Sequence, residues 1–501
     1  MKKILSVAII FFIIFVTTIY LGLTHSSHFN NFVFSNVVNP HDPLKVQTSQ
    51  SIKKQLQQID YWKDPRGLFP IFAYNIPDNT QDLTASLKIM ERGGINLIIN
   101  GNFGWMPYPN KLKQAFEELG NSDLRWLAIL ENECKNNFIY RNSDDETNSN
   151  INEILNQFNE NYIYGWYIWD EPGNNRKLCS TLNMEPNDDN ADINRMVKQI
   201  RSDSIYNKKL DFVNLFPTYW KGTHTAEDYE KYIDAFFASQ EYKPRVLCFD
   251  HYPLLKNKAG GFRKDYYLNL KIIREKSLQY DVPFWMIVLS SGHLNYKEPT
   301  FEEISFQAYS ALAYGAKGIG YYLYSKSWKK VGYSSWILEE NVDNPNLADS
   351  MYGPLYLPVK KLNQNVQEIG KILLKLKSIE VIHTSDYPNR QKRIEGSIFK
   401  SHKPNLLIQD IENIAGLNVK PNILVGIFSN ENKTCSQSKY LLIVNKDFRK
   451  SAELEMSLNK VYDISMFNKS ADQFLAISSD QTLQLIIQPG SCELIKLRKI
   501  E

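Results

Sequence analysis

The sequence is poor in cysteine, with five among 501 residues, and no two of them have the C-x-x-C spacing of a zinc site. It has no basic tract long enough to bind nucleic acid, and its formal net charge is only +3. It also lacks a glycine-rich phosphate loop. These absences argue against nucleic acid and nucleotide partners. What remains is a chain of ordinary globular composition, with 43% apolar and 23% charged residues.

The few cysteines predict two disulfides and one buried thiol, with the connectivity left open. Cys134 and Cys179 fall in predicted neighbouring loops, and Cys435 and Cys492 share the C-terminal region. Cys248 lies inside an apolar strand pattern and is the expected buried thiol.

The N-terminus carries the longest apolar run of the chain. Lys2 and Lys3 precede twenty mostly apolar residues, Ile4–Leu23, and no clear small-residue cleavage site follows. The run is long for a cleaved signal and close to the length that spans a bilayer. We therefore expect residues 1–27 to be a signal peptide or a signal anchor, residues 28–60 to be a linker, and the rest to be exported.

Residues 61–378 alternate between apolar strand patterns and amphipathic helix patterns. The strand patterns are near-continuous apolar runs at 68–77, 95–100, 124–132, 164–172, 210–220, 244–253, 282–293 and 317–325. Such runs are typical of parallel strands that are buried on both faces. Eight strand–helix units predict an α/β fold, a (β/α)8 TIM barrel.

Two further patterns complete the predicted architecture. Thr300 and Glu303 form a capping box, so Glu302 and Glu303 are expected to start a helix rather than to act as catalysts. Residues 379–501 consist of short alternating runs broken by Asn, Asp, Gly and Pro. This pattern predicts an all-β sandwich domain after the barrel.

A TIM barrel carries its active site at the C-terminal ends of its strands. The candidate site residues at these ends are Asn100, Glu131, Asp170, Glu171, Tyr219, Asp250, His251, Tyr252, Tyr322 and Tyr324. Amides and hydroxyls bind sugar hydroxyls, aromatic rings cover sugar faces, and paired carboxylates cleave glycosidic bonds. Trp105 and Trp328 are further candidate platforms for sugar rings. His251 and His293 lack a metal-ligand spacing, so no metal or other cofactor is predicted.

The stretch GWYIWDEP at 165–172 resembles the Asn-Glu-Pro or Asp-Glu-Pro strand end of barrel-type glycoside hydrolases. The resemblance is to the large retaining clan that includes the family 42 β-galactosidases. The FDHYP end of strand six and the segment 299–324 are similar to the same proteins. The resemblance spans about residues 60 to 500. It implies that Glu171 is the general acid/base and that Asp170 contacts the sugar beside the scissile bond.

Strand seven departs from that family. The clan's nucleophile is a glutamate at the end of this strand, where the present sequence reads VPFWMIVLSSGH. The second carboxylate is therefore open: Asp250 is the first candidate, Glu131 the next and Glu298 the third. Whether the mechanism is retaining or inverting depends on the distance between the two carboxyl groups.

Together these features predict an exported protein that acts on an oligo- or polysaccharide by carboxylate acid/base catalysis. We expect the aromatic surroundings formed by Trp166, Tyr167 and Trp169 to raise the pKa of Glu171. One alternative is a carbohydrate-binding barrel that has lost hydrolysis, and another is a metal-dependent hydrolase. The sequence does not name the sugar, the linkage or the oligomeric state.

Overall fold

The computed structural model describes most of the chain from residue 62 onward. The described residues are 62–77, 82–99, 109–129, 159–172, 193, 197–198, 200–202, 206–220, 225–238, 244–256, 261–326, 332–339, 344–383, 422–430 and 438–500. The predicted signal segment 1–27 and linker 28–60 lie outside them. Within the described part of the chain, no helix is long and apolar enough to cross a membrane.

Eight parallel strands close into a barrel in sequence order, which confirms the predicted (β/α)8 fold. The strands are β1 Ile71–Tyr74, β2 Leu97–Ile99, β3 Arg125–Ile129, β4 Ile163–Asp170, β5 Leu210–Leu215, β6 Leu247–Asp250, β7 Phe284–Leu289 and β8 Ile319–Tyr322. The barrel closes where β1 pairs with β8, with Phe72 opposite Gly320. A Cβ at Gly320 would overlap the Phe72 ring, so the glycine makes room for an aromatic side chain in the barrel interior.

The side chains of the strands form two separate apolar cores, one on each face of the barrel wall. The interior core is aromatic, and Phe72, Tyr164, Phe212 and Trp285 pack against one another there. The outer core lies between the strands and the helices and contains Trp126 among many aliphatic side chains. Because both faces of every strand are buried, the strand sequences are apolar throughout.

Helices follow β1, β2, β5, β6, β7 and β8 in the described part of the chain, as predicted, and the predicted helix after strand three lies outside it. The described ones are α1 Leu83–Arg92, α2 Pro109–Leu119, α3 Ala226–Ala238, α4 Tyr266–Tyr280, α5 Phe301–Tyr314 and α6 Tyr356–Leu373. The capping box of α5 is confirmed, because Thr300 Oγ1 accepts from the Glu303 N–H while the Glu303 carboxylate accepts from the Thr300 N–H. Glu303 is therefore a helix-start residue.

An antiparallel sheet follows the barrel, as expected for the all-β domain. Its strands are β9 Leu376–His383, β10 Ile423–Asn430, β11 Ser438–Asn445, β12 Ala452–Asn468, β13 Gln473–Ile487 and β14 Cys492–Lys499, in the spatial order β13-β12-β14-β11-β10-β9. The β12–β13 hairpin carries two register shifts, and Leu454 and Leu485 from it share a core with Ile443 of β11. The sheet begins at Leu376, three residues before the predicted domain boundary.

The other face of this sheet packs on α5 of the barrel. Leu442 and Leu494 join the outer core there, and Ser305 Oγ donates to the Gly490 carbonyl at 2.9 Å. A Cβ at Gly426 would overlap the Ala313 carbonyl, so this glycine permits the close approach of sheet and helix.

The cysteine predictions have mixed outcomes. Cys248 is a buried free thiol in the barrel interior, as predicted. Cys492 is also buried and free, so the expectation that it forms a disulfide in the C-terminal domain is wrong. It pairs with Val444 on β11, and its side chain belongs to the core shared with α5. Cys134, Cys179 and Cys435 lie outside the described residues.

Candidate functional site

The fourth strand presents three polar side chains to the barrel interior at intervals of three residues. Tyr164 and Tyr167 belong to the interior core, and Tyr167 Oη donates to Asp170 Oδ1 at 2.7 Å. A regular strand alternates with a period of two. The period of three arises because β4 has register shifts against both neighbours, one against β3 and one against β5 between Tyr167 and Trp169. These shifts turn Asp170 toward the mouth of the barrel, the end formed by the strand C-termini.

Because of the same register shifts, the predicted aromatic surroundings of Glu171 are partly wrong. Trp166 and Trp169 belong to the outer core, behind β4. They do not line the interior, so of the three aromatic residues expected around Glu171 only Tyr167 faces the site.

Two residues at the mouth hold a left-handed backbone. Asn75, after β1, has φ 72°, and Glu171, after β4, has φ 46°. This conformation is uncommon for a glutamate and costs roughly 1–2 kcal/mol. The Glu171 N–H donates to the Asn214 carbonyl at 2.9 Å, which fixes the strand end. Strained non-glycine residues cluster at functional sites, and both lie where a TIM barrel has its active site.

Asn214 on β5 joins two carboxylates. Its Nδ2 donates to Asp170 Oδ1 at 3.0 Å and to Asp250 Oδ1 at 3.2 Å. The opposite atom, Asn214 Oδ1, is buried and has no hydrogen-bond partner in the described part of the chain. Asn75 Nδ2 is in the same situation. The site therefore holds one buried acceptor and one buried donor that a ligand can satisfy.

Asp250, at the end of β6, is a buried carboxyl group with a perturbed pKa. Burial, followed by the negative charge of Asp170, raises its pKa to about 7. Hydrogen bonds from Asn214 and from the Glu171 side chain oppose this rise. The side chains of Glu171 and Asp250 are thus in direct contact. The structure brings together Asp170, Glu171 and Asp250, which are three of the predicted site residues.

Tyrosines form one wall of the mouth. Tyr252 stacks on Tyr322 with ring centroids 5.6 Å apart, and the Tyr322 and Tyr333 hydroxyls are 2.9 Å apart. Tyr219 accepts a hydrogen bond from Tyr296 at 3.3 Å, and the Arg263 guanidinium lies 3.6 Å from its ring centroid. The predicted residues Tyr219, Tyr252 and Tyr322 therefore lie beside the carboxylates, and burial raises the pKa of each.

His251 is buried, with its Nε2 atom 3.5 Å from Asp265 Oδ1 and its ring against Tyr219 and Tyr266. The predicted inward orientation of Tyr324 is wrong: Leu323 lies in the interior core, while Tyr324 packs in the outer core beside Tyr321. The alternation that the prediction assumed ends with the last residue of β8, Tyr322.

Several candidates lie elsewhere. Asn100, Glu131, Trp105 and Trp328 fall outside the described residues. Glu298 is exposed in the loop before α5. The end of β7 carries no carboxylate; Ser290 and Ser291 are buried there and donate to the carbonyls of Leu323 and Ser334. Among the described residues, no group of three or more His, Cys, Asp or Glu side chains is arranged to hold a metal ion.

The sequence interpretation missed Asn214 and Tyr74. It extended strand five to residue 220, whereas β5 ends at Leu215, so the polar strand end is Asn214. The sequence feature that could have identified Asn214 is that it is an asparagine within the apolar run LDFVNLF. Tyr74 closes β1, and its hydroxyl is 2.5 Å from that of Tyr167.

Comparison with known proteins finds no matching family model and no matching curated protein. Solved structures do match. The β-galactosidase from Bacillus circulans sp. alkalophilus is similar with a TM-score of 0.50 and 10% identity, over 86% of this chain and 99% of that chain. A family 30 subfamily 8 xylanase from Clostridium acetobutylicum has a TM-score of 0.43 and 7% identity, over 86% and 97%. A family 30 endoxylanase from Clostridium papyrosolvens C71 has a TM-score of 0.40 and 8% identity, over 85% and 96%.

At such identities the likeness concerns the fold. The chain has a TIM barrel followed by an antiparallel β domain. The fold fits many chemistries, so function has to be argued from the carboxylates, amides and tyrosines at the mouth.

Proposed function

We propose that this chain is an exported glycoside hydrolase that cleaves an oligo- or polysaccharide by carboxylate acid/base catalysis. The observation that carries the proposal is the contact of Glu171 with Asp250 at the barrel mouth, where burial and the charge of Asp170 raise the pKa of Asp250 to about 7. Two carboxyl groups whose environments separate their protonation states are a recurring arrangement for acid/base work.

Glu171 hydrogen-bonds to Asp250. The hydrogen bond from Glu171 lowers the pKa of Asp250, which means that it favours the ionised form of Asp250. The proposed roles require a protonated Glu171 and an ionised Asp250. Glu171 then protonates the leaving oxygen of the glycosidic bond, and Asp250 stabilises or attacks the sugar carbon that becomes positive.

Contact between the two carboxyl groups bears on the stereochemistry. An inverting mechanism separates them by roughly 6.5–9.5 Å so that a water molecule fits between sugar and base, whereas a retaining pair is about 5–5.5 Å apart. A directly hydrogen-bonded pair is closer than either spacing and leaves no room for a water molecule between the two carboxyl groups. We therefore propose a retaining mechanism with Glu171 as acid/base and Asp250 as nucleophile.

The remaining groups of the mouth suit a saccharide. A sugar hydroxyl both donates and accepts, so it can satisfy Asn214 Oδ1 or Asn75 Nδ2. The tyrosine wall of Tyr219, Tyr252 and Tyr322 supplies aromatic surface and further hydroxyls.

The test compares Glu171→Gln with Glu298→Gln in an assay of oligosaccharide hydrolysis by the full chain. Glu298 is exposed, so its change is a matched control for the loss of one carboxylate. We expect Glu171→Gln to lower kcat by at least about 100-fold and Glu298→Gln to leave it unchanged. Full activity of Glu171→Gln would refute the assignment. Retained anomeric configuration of the product, followed by NMR, tests the retaining mechanism.

One observation favours a second function, a carbohydrate-binding barrel without hydrolysis. The end of β7 offers buried serines that are bonded to backbone carbonyls in place of a carboxylate. Binding on a glycan array with no turnover of the bound sugar would support this alternative. Turnover that depends on Glu171 would exclude it.

Export is proposed from residues 1–27 alone. Two lysines before a long apolar run favour a signal or an anchor. Deletion of residues 1–27 is expected to retain the protein inside the expressing cell, and fractionation of cells that produce both forms measures this. Equal distribution of the two forms would contradict it.

A further inference from the structure

A second cavity lies at the opposite end of the barrel from the carboxylates. It has a volume of about 750 Å³ and is lined by the segments that lead into β1, β7 and β8 and by the junction of α6 and β9. Since the barrel strands are parallel, these segments gather at their N-terminal ends. The volume is within the roughly 300–1,000 Å³ of small-molecule sites.

The wall of this cavity is strongly basic. Its cationic side chains are Lys63, Arg274, Lys317, Lys371, Lys375 and Lys377. Only two acidic residues line it, and both are paired: Asp64 holds the Arg66 guanidinium, and Asp281 Oδ1 lies 3.6 Å from Lys377 Nζ. The acidic residues that line the cavity therefore do not neutralise its other cationic side chains.

The other cations differ in their partners. Lys317 donates to the carbonyls of Leu373 and Leu376, and Lys371 pairs with Glu368. Within the described part of the chain, Lys63 and Lys375 form no ion pair. Arg274 is half-buried and its Nε donates to Ser378 Oγ at 2.9 Å; burial lowers the pKa of its guanidinium, the charges of Glu275 and Glu380 oppose this, and the group stays charged. An oxyanion in the cavity would form charge-assisted hydrogen bonds with these cations.

Aromatic side chains complete the wall. Trp62, Phe284, Trp285 and Tyr314 line the same cavity. Trp62 is fixed by a hydrogen bond from its Nε1 to Tyr164 Oη at 2.9 Å. A cavity with cations and rigid aromatic rings suits a ligand that carries an anionic group on a ring with apolar faces.

We propose that this cavity binds an acidic saccharide unit, with its carboxylate, sulfate or phosphate group facing Arg274 and Lys375. The saccharide part of the inference rests on the proposed function, whereas the anion part rests on the cations alone. The cavity then serves as a second sugar site that holds an acidic chain while the mouth acts on it or on a neighbouring chain.

The experiment is calorimetric titration of the full chain with three probes: a tetramer of galacturonic acid, a neutral galactose tetramer of equal length, and inorganic phosphate. Lys375→Gln and Arg274→Gln are compared with Lys361→Gln, an exposed lysine of α6 that does not line the cavity. Arg274→Lys retains the charge in case Arg274→Gln unfolds.

We expect the acidic tetramer to bind, and Lys375→Gln to weaken it about 10-fold while Lys361→Gln does not. Binding should also weaken as salt rises. Absence of binding, or equal weakening by Lys361→Gln, would overturn the proposal. Phosphate binding as tightly as the tetramer would overturn its saccharide part. The Glu171→Gln variant distinguishes this cavity from the mouth. It should lose hydrolysis but bind the acidic tetramer as tightly as the parent. If Glu171→Gln also lost tetramer binding, the ligand would be bound at the mouth.

Discussion

Tyr167 donates its hydroxyl to Asp170 at 2.7 Å although the two residues stand three apart in one strand. In a regular strand their side chains would face opposite sides of the sheet. The register shift between Tyr167 and Trp169 places both in the barrel, and the shift against β3 does the same for Tyr164. The irregular register of β4 therefore orients the Asp170 carboxylate toward the mouth of the barrel.

Gly165 is the residue that allows β4 to take this course. A Cβ there would overlap the Leu210 carbonyl oxygen and lie 2.7 Å from Leu210 Cβ on the neighbouring strand. We expect Gly165→Ala to lower the free energy of unfolding by more than about 3 kcal/mol, because a backbone atom cannot move aside as a side chain can. Chemical unfolding measures the loss.

Gly120→Ala is the matched control for Gly165→Ala. Gly120 has φ 61° and open space around its Cβ position, so alanine there meets only the conformational cost of roughly 1–2 kcal/mol. Equal losses from both changes would show that the close approach at Gly165 is unimportant.

Asn214→Asp tests the bridge between the carboxylates. The change replaces a donor by a third negative charge between Asp170 and Asp250. We expect a loss of roughly 3–5 kcal/mol in unfolding free energy at pH 8 and a smaller loss at pH 5, where Asp250 is protonated. Asn121→Asp on the surface is the control and should change little. A loss that does not depend on pH would argue against a charge effect.

The sequence predicted the barrel because each strand is an apolar run with a regular helix after it. It also predicted Asp170, Glu171 and Asp250, since each ends a strand and the strand ends of a barrel meet at one mouth. It could not predict which faces Trp166, Trp169 and Tyr324 occupy. Those depend on register shifts, and a shift by one residue exchanges the two faces of a strand. Nor did it predict the basic cavity, whose cations come from four separated segments.

Asp250→Asn should change the stability of the protein in a way that depends on pH. The folded-state pKa is raised from 3.8 to about 7, so between these values the folded chain binds more protons than the unfolded chain. The contribution of Asp250 to stability therefore falls as pH rises from about 4 to about 7. We expect Asp250→Asn to be more stable than the parent at pH 8, by at most about 4 kcal/mol, and not at pH 4. Asp123→Asn, on the surface, should show no such crossover.

The same group should set the acidic limb of the pH–rate profile. The proposed nucleophile acts as an anion, and Asp250 ionises at about pH 7. We expect kcat/KM to rise with pH to a plateau above about 7, rather than above about 4 as for an unperturbed carboxyl group. Asn214→Asp should move the limb to higher pH, because added negative charge raises the pKa of Asp250 further. A limb near pH 4 in the parent would remove Asp250 from the mechanism.

Cys492 should behave as a protected thiol rather than as half of a disulfide. It is buried against α5, and burial raises its pKa to about 12, so almost no reactive thiolate exists at pH 8. We expect Cys492 to resist alkylation in the folded chain and to react once the chain is unfolded without any reductant. Peptide mapping by mass spectrometry checks both states. Cys248, buried in the barrel interior, should follow the same pattern. A requirement for reductant before Cys492 can be alkylated would show that it is oxidised and would restore the disulfide expected from the sequence.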